Sequence, residues 1–117
     1  MKTVVLVAAG GALGSVCRYA VQQWLNTTFP TGTLAVNITG CFLMGLGIGW
    51  MTDLRSAAAL FLLTGFCGGF TTFSAFGADA LRLFQAKEPG PFLLYTLASV
   101  ATGLLATYIG YRITHQT

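Results

Sequence analysis

Charge is what this sequence has least of. Only 8% of its 117 residues are charged, three acids against six bases, where a water-soluble domain carries about 25%. Water does not solvate a surface that poor in charge, and the length allows one domain at most. The bases are scattered and the net charge is only +3, which excludes the clustered basic footprint of a nucleic-acid binder. The single histidine, His115, lies near the end, and Asp53, Asp79 and Glu88 read as residues of loops or helix ends. On that reading no span core offers a carboxylate to shuttle protons. No nucleophile has a base beside it and no cluster has metal-ligand spacing, so catalysis has almost nothing to work with. Cys17, Cys41 and Cys67 are odd in number and form no CxxC; they read as buried thiols, not a disulfide framework. After Met1-Lys2 the chain turns apolar at once, but no small-residue cleavage site leads into a polar region, so a retained first span is expected.

What is abundant is apolar: 55% of residues are hydrophobic, with mean hydropathy +0.73. Crossing about 30 Å of hydrocarbon takes about 20 apolar residues. Four runs qualify, over 3–25, 33–51, 57–84 and 91–112, separated by turn-rich connectors such as Asn26–Gly32 and Gln85–Gly90. The sequence therefore predicts an all-α membrane protein, with residues 1–117 forming a single transmembrane domain of four spans. Both termini then share one side with Lys2, Arg55 and Arg112, opposite Arg18, Arg82 and Lys87. Orientation follows the difference between such counts, and here there is none. Either another feature orients the chain, or it inserts both ways up.

Glycines four apart (Gly10 and Gly14, Gly45 and Gly49, Gly65 and Gly69) make smooth patches where helices approach closely in lipid. With only four short spans, they favour an oligomer. The third span carries the densest punctuation. Gly68-Gly69 weakens the helix by about 1 kcal/mol per glycine, and the hydroxyls of Thr71 and Thr72 compete for backbone partners. A helix break near mid-membrane is expected, either lining a cavity or ion site or acting as a packing kink.

The remaining intramembrane polar groups each have two readings. Phe73 and Phe76 share a face; the rings are ordinary apolar surface or present their positive edges to a small anion. Asn37 makes an interhelical hydrogen bond or donates into a polar path. Tyr95, Ser99 and Thr102 recur along one helix face, as a polar seam or a donor track. Arg18 snorkels to the interface or faces a vestibule. Amides, hydroxyls and ring edges without carboxylates suit a dehydrated anion better than a cation.

These residues resemble the Fluc, or CrcB, fluoride channel family over the whole chain. Gly10–Tyr19 is similar to its first-span signature, with Ser15 where Ala is usual, and Gly32–Gly40 to its second-span motif. Gly65-Phe66-Cys67-Gly68-Gly69-Phe70-Thr71-Thr72-Phe73-Ser74-Ala75-Phe76 resembles the third-span signature closely, with Ala75 where Thr is frequent. The resemblance implies an antiparallel, dual-topology homodimer in the bacterial inner membrane that passively exports fluoride. It implies that Asn37, Phe73, Ser74 and Phe76 line the fluoride path, with Tyr95, Ser99 and Thr102 adding hydroxyls and Arg18 in a vestibule. It also implies that the backbone carbonyls of Gly68 and Thr71 hold a structural sodium ion (Na+) at the dimer centre. The rivals are a small drug–proton antiporter, which needs an embedded carboxylate, and a non-conducting scaffold.

Overall fold

A computed structural model describes residues 1–115, and among these the elements are helices and turns. α1 covers Lys2–Leu25 and α2 Thr31–Trp50, with Pro30 as the cap residue between them; proline has no N–H to lose at such a position. The third span is in two pieces. α3 covers residues 57–70, α4 covers Phe73–Gln85, and Thr71 and Thr72 between them are extended, with ψ of 155° and 115°. α5, Pro89–Thr114, opens with Pro89 and Pro91 in its first turn, where the missing N–H groups cost little. Four helical segments are long and apolar enough to cross a membrane. The four-span, all-α architecture with a broken third span is thus the one the sequence predicts.

The break does not fall at the glycines. Gly68 is helical at φ −61° and ψ −38°, and Gly68–Phe70 forms a helical turn. Close packing accounts for Gly69: a Cβ there would stand 2.5 Å from the Gly11 carbonyl oxygen of α1. α3 also contains a π-helical stretch, Leu60–Cys67, which no residue pattern announces.

The glycine patches work inside one chain. A Cβ on Gly10 or Gly14 would collide with the carbonyls of Phe61 and Phe66 on α3, and one on Gly65 would stand 2.9 Å from the Val7 carbonyl. α2 and α5 pack in the same way, Gly45 against the Thr107 carbonyl and Gly110 against the Phe42 carbonyl. Contacts of Cys41 with Gly103, Gly45 with Thr107 and Gly49 with Thr114 advance together along both helices, so α2 and α5 run parallel. The patches therefore carry no case for an oligomer. Van der Waals contact between backbones holds the two helix pairs together, and it brings Asn37, the break and α5 to one level.

Candidate functional site

The site grows from the break. Thr72 gives its N–H to Asn37 Oδ1 at 2.7 Å, and Asn37 Nδ2 donates to the Thr72 carbonyl at 3.1 Å. One amide thus satisfies both backbone groups of Thr72. Thr72 Oγ1 accepts the Ala75 N–H at 3.0 Å, the usual N-cap bond that starts a helix. Upstream, Thr71 Oγ1 donates back to the Cys67 carbonyl at 2.9 Å.

These bonds redirect the N–H groups that an unbroken helix would aim at two carbonyls. The carbonyl of Gly68 would receive the Thr72 N–H, and that of Thr71 the Ala75 N–H; both are engaged elsewhere. The Gly69 carbonyl between them accepts from Arg18 Nε at 3.0 Å. Arg18 therefore reaches inward to the break and does not snorkel away from it. No group of three or more His, Cys, Asp or Glu side chains is placed to hold a metal among the described residues, so a cation here would be held by main-chain oxygens.

Beside the break lies an open cavity of about 340 Å³, lined by Asn37, Phe73, Phe76 and Ser99, by Thr71, Thr72 and Thr107, and by Cys41 and neighbouring apolar residues. No Asp, Glu, Lys, Arg or His faces it. The Phe73 and Phe76 rings are 5.6 Å apart between centroids and tilted by 42°. Phe76 packs on Tyr95 at 5.3 Å. Phe73 is 83% exposed on the single chain. Ser99 lines the cavity, and its Oγ is buried without a hydrogen-bond partner.

Three of the expected path residues stand differently. Ser74 is exposed and outside the cavity lining, its hydroxyl 3.1 Å from Thr72 Oγ1. Thr102 donates to the Ala98 carbonyl of its own helix and does not line the cavity. Tyr95 is wholly buried and directs its hydroxyl to Asp79 Oδ2 at 3.4 Å. Its ring, not its hydroxyl, meets the site, by supporting Phe76.

Asp79 corrects the expectation that the acids lie at loops and helix ends. It sits inside α4, 8% exposed, with Arg82 Nη1 2.7 Å from its carboxylate. A carboxylate at that depth is tolerable because it is paired and hydrogen-bonded. The signal was present: Asp79 and Leu83 are four apart and are the buried residues of α4, and Arg82 lies three residues after Asp79.

Comparison with known proteins agrees over nearly the full length. A family model described as "CrcB-like protein, Camphor Resistance (CrcB)" matches residues 5–111. A protein of Rhizobium etli named "Fluoride-specific ion channel FluC" is 46% identical over 120 residues, covering 97% of this chain and 96% of its own. One of the same name from Flavobacterium psychrophilum is 41% identical over 123 residues, covering 99% of each. "Fluoride-specific ion channel FluC 2" of Rhodococcus jostii is 41% identical over 114 residues, covering 96% of this chain and 98% of its own. On the match across 5–111 and these identities, the chain belongs to the CrcB family.

Proposed function

We propose that this chain is a passive, fluoride-selective channel of the bacterial inner membrane that lowers cytoplasmic fluoride. It is a multi-pass membrane protein, not an enzyme. The observation that carries the reading is the cavity at the break, walled by a neutral amide, a free hydroxyl and two phenyl rings, with no carboxylate or cationic side chain in its lining. The relatives named as fluoride-specific channels point the same way. Fluoride enters acidified cells as the neutral acid, dissociates and is trapped; a channel lets the ion leave down its gradient. Donors and positive ring edges replace its water, and the larger chloride ion is solvated poorly by so narrow a set.

The path residues on this reading are Asn37, Phe73, Phe76 and Ser99. Tyr95 supports Phe76, and Ser74 and Thr102 lie outside the cavity of the single chain. Arg18, held on the Gly69 carbonyl, keeps positive charge beside the path, its vestibule role.

An antiparallel homodimer completes the site. Unpaired main chain at membrane depth is tolerated only when protein or water covers it. Gly68 is exposed on the single chain, and its carbonyl lacks the Thr72 N–H. A second copy over this face covers both Gly68 and the exposed Phe73, and the balanced charges permit either orientation. The freed Gly68 and Thr71 carbonyls fit a structural sodium ion, since unwound main chain serves that ion elsewhere. When bound, the ion would supply fixed positive charge that ties the break to its counterpart.

An antiporter would need a free embedded carboxylate, and Asp79 is held by Arg82 at 2.7 Å. Purified protein in liposomes tests the reading. Fluoride efflux under a fluoride gradient, with no chloride efflux and no dependence on a proton gradient, is expected; absence of fluoride efflux overturns it.

A further inference from the structure

The hydroxyl groups of this chain sort into two kinds. Thr71, Thr102, Thr107 and Thr114 each turn their hydroxyl back onto the carbonyl four residues earlier. That local bond is the ordinary way a helical threonine in lipid satisfies itself. Thr96 and Ser99 do not make it. Both Oγ atoms are buried and neither has a partner, though Phe92 and Tyr95 supply carbonyls at the same spacing. A buried hydroxyl left unmade costs about 1–3 kcal/mol, so two side by side on one helix call for a ligand.

Their placement says which. Thr96 and Ser99 are three apart on α5, which puts them on one strip with Cβ atoms about 5–6 Å apart. Ser99 and Gly103 on that strip line the cavity beside Asn37 and Phe76. Thr96 is outside the cavity lining itself, one turn before Val100 and two before Gly103, which are in it, so it lies just beyond the cavity's Tyr95 end. Tyr95, at that level, directs its own proton to Asp79. The donors free there are the two hydroxyls. Hydroxyl donors approach an acceptor to about 2.5–3.0 Å, so one small anion between them reaches both, and fluoride is the anion small enough to sit so close to each.

We propose that Thr96 is a fluoride-coordinating residue, forming with Ser99 a paired hydroxyl station at the Tyr95 end of the cavity. The proposal rests on the fluoride-channel reading and extends it to a residue outside the recognised motifs. Each hydroxyl keeps its proton and donates a hydrogen bond to the ion, and that bond breaks as the ion passes to the next donor.

The experiment measures initial fluoride efflux from liposomes for wild type, Thr96→Val, Thr96→Ser, Ser99→Ala and the Thr96→Val/Ser99→Ala double variant. Thr96→Val keeps the shape and deletes the hydroxyl, and efflux is expected to fall about tenfold. Thr96→Ser keeps the hydroxyl and should stay within about twofold of wild type. The double variant should lose less than the product of the single losses, because one ion uses both donors. The proposal is overturned if Thr96→Val conducts within twofold of a conducting wild type, leaving the channel reading intact. It is equally overturned if Thr96→Ser loses as much as Thr96→Val, since the methyl group and not the hydroxyl would then matter. A wild type that does not conduct overturns the channel reading and this station together.

Discussion

Asn37→Leu is the most informative single substitution, because the amide serves the fold and the path at once. Its Oδ1 takes the Thr72 N–H at 2.7 Å and its Nδ2 gives one hydrogen to the Thr72 carbonyl at 3.1 Å. The second Nδ2 hydrogen remains for the cavity. Leucine is similar in size and removes all three. Each stranded backbone group costs about 1–3 kcal/mol when buried, and hydrogen bonds between membrane helices are worth about 0.6–1.7 kcal/mol each. Two lost bonds therefore destabilise the break by about 1–3.5 kcal/mol, and the donor to the ion is lost as well. Two readouts separate these losses. Equilibrium unfolding in dodecyl sulfate mixed micelles should shift to lower denaturant, and fluoride efflux in liposomes should vanish. Asn37→Asp sharpens the test. It keeps an acceptor for the Thr72 N–H but sets an oxygen against the Thr72 carbonyl and a negative charge beside the anion path, so efflux should vanish while part of the stability survives. If Asn37→Leu unfolds at the wild-type denaturant concentration, the clamp at the break contributes nothing and the reasoning fails.

Other predictions follow from the same geometry. Phe76→Ile keeps apolar bulk but loses the positive ring edge and should cut fluoride efflux at least about tenfold, a barrier change of about 1.4 kcal/mol; Phe73→Met should be milder because the thioether adapts to irregular space. Tyr95→Phe removes a hydroxyl that points to Asp79 and not to the cavity, so efflux should stay within about threefold of wild type while stability falls by about 1 kcal/mol; abolished efflux would return the hydroxyl to the path. Gly45→Ala drives a Cβ into the Thr107 carbonyl on α5 and should lower the yield of folded protein sharply, whereas Gly90→Ala, with nothing within 4 Å, should be silent. In a cysteine-free background, a single cysteine at Asp53 should be labelled by a membrane-impermeant thiol reagent from both sides of the membrane; labelling from one side alone would remove dual topology.

Much of the fold was legible because lipid makes composition nearly decisive. A run of twenty apolar residues without charge has few places to go, and Gly, Pro and polar clusters mark its ends. The break was legible in kind but displaced in position. Propensity ranks Gly68-Gly69 as the weak point, yet α1 lies so close that Gly69 is needed for contact with Gly11. The helix yields where Asn37 can replace what it loses. That partner is 35 residues away from Thr72, and no local pattern encodes it.

The side chains of the site divide along the same line. Asn37, Phe73, Phe76 and Ser99 were identifiable by type, and the fold gathers them around one cavity. Hydroxyl spacing was a poorer guide. Tyr95, Ser99 and Thr102 share a helix face, but a hydroxyl is available to an ion only if nothing nearer takes its proton. Thr102 finds the Ala98 carbonyl and Tyr95 finds Asp79, while Thr96, off that i, i+4, i+7 series, stays free. Asp79 escaped for a related reason: thirteen helical residues after the break place it well inside α4, while the sequence alone put it near the following loop. Depth and partner, not residue type or period, decide which polar groups in such a bundle remain open to an ion, and both are properties of the packed helices.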